Sequence, residues 1–125
     1  MTAGYTRLVL LGRPITKKNS QNVCGHIPHP SKRFLKYQKD CLNQIFWPFE
    51  PISSEINLAC VYYMPTSGTV DLCNLINGTQ DILVHAGVLK DDNYRIVAGL
   101  DGCRVYYDRR NPRVEIVITG GVAHD

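Results

Sequence analysis

Four aspartates, Asp71, Asp81, Asp91 and Asp92, fall in one stretch of the chain, and Asn74, Asn77, Gly78 and His85 lie among them. Carboxylate oxygens are the natural ligands of Mg²⁺, a small hard ion that keeps several waters and shares its shell with phosphates. Spacing decides which of these acids can share an ion. Asp71 and Asp81 would lie ten residues apart on one helix, roughly 15 Å along its axis, too far for a common metal. Asp92 follows a glycine at Gly87, and five extended residues span up to about 17 Å, enough to return to the helix start. Asp92 can therefore meet Asp71, an arrangement of two carboxylates that suits Mg²⁺. The plain alternative makes Asp71 a helix cap and Asp91-Asp92 a solvated turn.

A second donor group, Cys24, His26 and His29, has the chemistry of a zinc site but lacks an obvious fourth ligand. The five cysteines include no CxxC pair and read as free thiols, mostly small core residues. Charge is more informative. The net +3 divides into eight basic side chains against one acid in residues 1–49, or +7, and six against ten in residues 50–125, or −4. Such polarity points to a polyanion-binding surface beside an acidic site. The basic candidates are Lys17 and Lys18, next to Asn19, and the stripe Lys32, Arg33, Lys36 and Lys39.

The elements that must position these residues follow from periodicity. Tyr5 to Leu11 is rich in β-formers and reads as a strand, followed by a long polar loop from Gly12 to Pro30. Ser31 offers an N-cap for a helix to about Phe46, with Phe34, Leu35, Cys41, Leu42, Ile45 and Phe46 expected in the core and the lysines outside. Glu55 to Pro65 reads as a strand. Asp71 to Ala86 reads as a second amphipathic helix with Leu72, Leu75, Ile76, Thr79, Ile82, Leu83 and Ala86 on one face and Gly87 closing it. Tyr94 to Leu100 and Arg104 to Tyr107 flank Asp101-Gly102, a type I′ hairpin signal, and Arg113 to Thr119 is the last strand. This order predicts one α+β domain over residues 1–125, with two helices packed on a mixed or mostly antiparallel sheet.

With 44% hydrophobic and 20% charged residues, the composition excludes a disordered or collagen-like chain. No apolar run approaches the roughly 18 residues of a membrane span, and the first residues lack the pattern of a signal peptide, so a cytoplasmic location is expected. No organic cofactor is indicated.

The segments Asp71-Leu-Cys-Asn-Leu75, Asp81-Ile-Leu-Val-His-Ala-Gly87 and Lys90-Asp-Asp-Asn93, with Pro14-Ile-Thr-Lys-Lys-Asn19 upstream, resemble the signature of RusA-type Holliday junction resolvases. The resemblance runs from Leu8 to Ile118 in the same order of elements. It implies a small homodimeric endonuclease, often prophage-borne, that binds four-way DNA junctions and cuts opposed strands with Mg²⁺ or Mn²⁺ in recombination and repair. By position it assigns metal binding and catalysis to Asp71 and Asp92, with Asp91 adjacent, and matches the family asparagine to Asn74 among the DNA-contacting residues. Two positions depart from the family. Cys73 stands where the family has a second aspartate, and a thiolate is a poor ligand for Mg²⁺. Asn77 stands where it has a lysine, and an amide brings no positive charge to a phosphoryl transition state. Two alternatives follow: a DNA-binding relative with weak or lost cleavage, and a protein-interaction domain whose basic half has no nucleic-acid role.

Overall fold

In the strand β2 (Ile56–Met64), Ile56, Leu58, Cys60, Tyr62 and Met64 are buried while the residues between them stay half-exposed. That period of two marks a strand with one face on the core and the other open. The structure is a computed structural model and describes residues 4–17 and 31–120. Around β2 it places β1 (Gly4–Leu11), β3 (Val97–Gly99), β4 (Arg104–Tyr107) and β5 (Arg113–Gly120), with helices α1 (Lys32–Leu42) and α2 (Leu72–His85). The sheet order is β1-β5-β2-β3, with β4 also on β2; β5 is antiparallel to β1 and β2, and β3 and β4 run parallel to β2. The result is an α+β domain with a mixed five-stranded sheet and two helices.

Both helices begin at side-chain caps. Ser31 Oγ accepts from the Phe34 amide at 3.1 Å, and an Asp71 carboxylate oxygen accepts from the Cys73 amide at 2.9 Å, each satisfying an otherwise free N–H of the first turn. The first helix is shorter than its apolar pattern predicts. It ends at Leu42 because the Gln44 side chain turns to the edge strand, accepting from the Leu11 amide at 2.7 Å and donating to the Leu11 carbonyl at 3.0 Å. Phe46 is consequently 83% exposed, Leu35 is also exposed, and the core face is Phe34, Tyr37 and Cys41. In α2 the predicted apolar face is buried at Leu75, Ile76, Thr79, Ile82 and Leu83. Gly78 lies under the Phe34 ring, where a Cβ would come within 2.9 Å of Cε1, so the helices approach closely there because residue 78 has no side chain.

One buried polar chain crosses this core. The Tyr62 hydroxyl stands 2.6 Å from Thr79 Oγ1, which itself reaches the Leu75 carbonyl at 3.2 Å. Since the carbonyl can only accept, Thr79 donates to it and Tyr62 donates to Thr79. The two deletions are therefore unequal. Thr79→Val leaves the buried Tyr62 hydroxyl without a partner and is expected to cost about 1–3 kcal/mol, whereas Tyr62→Phe leaves Thr79 bonded and is expected to cost about 1 kcal/mol. Urea unfolding of both variants measures the difference.

The expected Asp101-Gly102 hairpin does not form. β3 and β4 do not pair with each other; both lie along one edge of β2, at Ile56–Asn57 and Val61–Met64. Gly102 does adopt a positive φ of 93°, but the turn makes an excursion and the chain resumes its direction. Asn57 holds it there, donating to the Asp101 carbonyl at 3.1 Å and accepting from the Asp101 amide at 2.9 Å. The side-chain amide thus takes the place of a backbone bridge between the two short strands.

Candidate nucleic-acid and metal-binding site

The basic residues of α1 lie where its sequence pattern puts them. Lys32, Arg33, Lys36 and Lys39 are all exposed. Lys36 is paired with Asp40 at 3.3 Å, whereas Lys32, Arg33 and Lys39 make no ion pair among the described residues. Two shallow clefts adjoin this face. One, of about 220 Å³, lies between the end of β1 and α1 and includes Arg13, Arg33, Lys36 and Tyr37. The other, of about 160 Å³, includes Arg13, Arg33, Thr66, Thr69 and Val70, the last of which precedes Asp71 in the chain. Arg13 and Arg33 line both. Arg13 is absent from the sequence-derived candidates; the surplus of cations in residues 1–49 was the available signal, but its place opposite Arg33 depends on how β1 leads into the helix layer.

Lys17 is part of a tie between elements as well as a basic group. Its Nζ is 3.4 Å from Asp81, which also accepts from Gln38 Nε2 at 3.1 Å and faces His85 Nδ1 at 3.8 Å. Asp81 thereby joins the segment after β1, α1 and α2, and its half-buried carboxylate is occupied by the protein itself. Asn74 is half-buried in the first turn of α2. Lys18 and Asn19, and the Cys24, His26 and His29 group, lie outside the described residues.

The acids are not brought together within one chain. Asp71 caps the start of α2, beyond the Met64 end of β2, with one oxygen engaged by Cys73 N–H. After α2 the chain does not run back along the helix. The Leu89 backbone bridges Ile52, the Lys90 amide donates to the Ile52 carbonyl at 2.9 Å, and Val97 pairs with Ile56. Asp91 and Asp92 are thus pinned at the opposite end of the β2-α2-β3 crossover, and the 14 residues of α2 put them roughly 20 Å from Asp71. The expected return of Asp92 to the helix start is corrected by this pairing, which a length argument could not anticipate.

At that far end the Asp91 carboxylate is used locally, accepting from the Asp92 amide at 2.7 Å and from Asn93 Nδ2 at 3.1 Å, while Asp92 is exposed. Among the described residues no group of three or more His, Cys, Asp or Glu side chains stands close enough to hold a metal ion. Among the described residues, Asp71 and the Asp91-Asp92 pair thus stand at opposite ends of the crossover within one chain. Cys73 is exposed at the Asp71 end and Cys41 and Cys60 are buried; all are free thiols. Burial pushes the Cys41 thiol up to about 11, which makes it a packing group rather than a nucleophile.

No helix among the described residues is long and apolar enough to cross a membrane. No protein-family model matches the chain, and a search of curated proteins finds no match.

Proposed function

We propose that this chain is a metal-dependent endonuclease of branched DNA, a relative of the RusA-type Holliday junction resolvases that its sequence resembles. The observation that carries the reading is the pair of clefts that share Arg13 and Arg33, one of which is lined as far as Val70, the residue before Asp71. Arginine forks suit phosphate oxygens, and backbone contacts of this kind hold DNA without reading its sequence. The start of α2, where Asp71 is the cap, follows that lining directly in the chain, and a carboxylate there would serve a hydrolytic centre acting on a phosphate held by the arginines.

The separation of Asp71 from Asp91-Asp92 makes the homodimer the working unit of this reading. The flank of α2 away from α1 carries Cys73, Asn77, Gln80 and Val84 at helical spacing, partly or fully exposed and without a charge. A twofold axis through the helix middle sets Cys73 against the partner's Val84 and Asn77 against the partner's Gln80, a self-complementary arrangement of the kind an isologous interface requires. The same operation brings Asp71 towards the partner's Asp91 and the partner's Asp92.

Incubation of the purified chain with a labelled four-way junction and Mg²⁺ or Mn²⁺ tests the proposal. Nicks on opposed strands are expected. Tight binding with intact strands at both metals favours instead a DNA-binding relative without cleavage, which Cys73 and Asn77 would explain.

A further inference from the structure

The face of the sheet opposite the helices carries a stack of planar groups that ends in solvent. Register puts Arg113 of β5, Tyr63 of β2 and Tyr106 of β4 side by side across three strands. The Arg113 guanidinium carbon lies 3.7 Å from the Tyr63 ring centroid, and the rings of Tyr63 and Tyr106 stack at 5.6 Å with 26° between their planes. The inner end of the stack is neutralised, because Arg113 bonds Asp108 at 3.0 Å and Glu115 at 2.8 Å. That contact holds the Asp108 carboxyl below the usual carboxylate range.

The outer end is different. β4 pairs with β2 alone, and Tyr106 is 45% exposed. Arg104 reaches over the Tyr106 ring at 5.4 Å from its centroid. Arg104, Arg109 and Arg110 are exposed and make no ion pair among the described residues. A half-exposed ring with an unpaired, mobile-stemmed arginine at it, and two more unpaired arginines in the turn that follows its strand, complements a base and its phosphates, since stacking accepts any base while cations follow the backbone.

We propose that this edge binds an unpaired nucleic-acid strand, with a base stacked on Tyr106 and adjoining phosphates held by Arg104 and the Arg109-Arg110 turn. The site lies on the other side of the sheet from the α1 clefts and does not depend on the endonuclease reading. A branched substrate offers both kinds of feature, duplex arms for the clefts and unstacked bases at the branch.

The test is fluorescence anisotropy with a labelled oligo-dT and a matching abasic strand, using the intact chain with Arg13→Ala and Arg33→Ala so that the α1 clefts contribute little. Oligo-dT is expected to bind about tenfold more tightly than the abasic strand. Tyr106→Ala should remove that difference and Tyr106→Phe should keep it. Arg104→Ala should weaken both strands and lower the salt slope by about one. Equal binding of the two strands, or a tenfold preference that survives Tyr106→Ala, overturns the proposal. So does failure to bind oligo-dT, including the case where sedimentation shows self-association through Tyr106 instead.

Discussion

Asp71→Asn and Asp92→Asn are each expected to lower junction cleavage by at least about 100-fold while leaving junction affinity within about twofold. Loss of one carboxylate from a two-acid centre removes a charge that the reaction needs, and such losses fall on turnover rather than on binding when the group does not hold the ground-state substrate. Asparagine is the informative replacement at position 71. Its side-chain oxygen can still accept from the Cys73 amide, so the start of α2 is preserved, whereas alanine would remove the cap and cost about 1 kcal/mol of helix stability. The Asp92 side chain makes no hydrogen bond among the described residues and is exposed, so its removal leaves the fold intact. Single-turnover cleavage and anisotropy on one set of labelled junctions separate the two effects. Parallel losses of affinity and cleavage would place these acids in binding or folding instead.

The double variant Arg13→Ala with Arg33→Ala is expected to weaken binding to duplex arms by about 10- to 100-fold at low salt and to reduce the slope of log affinity against log salt by about two. Each phosphate contact releases counterions in proportion to the charge it neutralises, close to 0.9 per contact on duplex DNA. The pair is chosen because both residues line both clefts. Lys36→Ala should matter less, since Lys36 already faces Asp40 at 3.3 Å and its removal changes a partly neutralised pair. A salt titration of the three proteins measures this. An unchanged slope in the double variant would mean that the clefts do not contact phosphates.

The second helix was legible because its apolar residues repeat at 3.6 and its cap and C-terminal glycine sit where local chemistry requires them. Ser31 was legible as a cap for the same reason. The Asp101-Gly102 turn was misread because its local signal says only that the chain turns. Whether it then reverses or resumes is decided by the Asn57 side chain, 44 residues away. The end of α1 was misplaced for a similar cause, since Gln44 finds its partner in Leu11. In the candidate site, the exposure of the α1 cations followed from helix periodicity. The position of Asp92 did not, because it depends on the pairing of Leu89 with Ile52. That pairing carries the loop away from Asp71, and it turns an expected site within one chain into a question about two.

Mixing the two single variants, after co-expression under different tags and purification of the mixed dimer, tests the account most directly. If Asp71 of one copy works with the partner's Asp92, the mixed dimer contains one intact site and one doubly defective site. It should nick one strand of a four-way junction, although neither variant alone does so, and should bind about one Mn²⁺ where the unaltered dimer binds two. A mixed dimer as inactive and as metal-free as its parents, beside an unaltered protein that cleaves, would contradict the two-chain site.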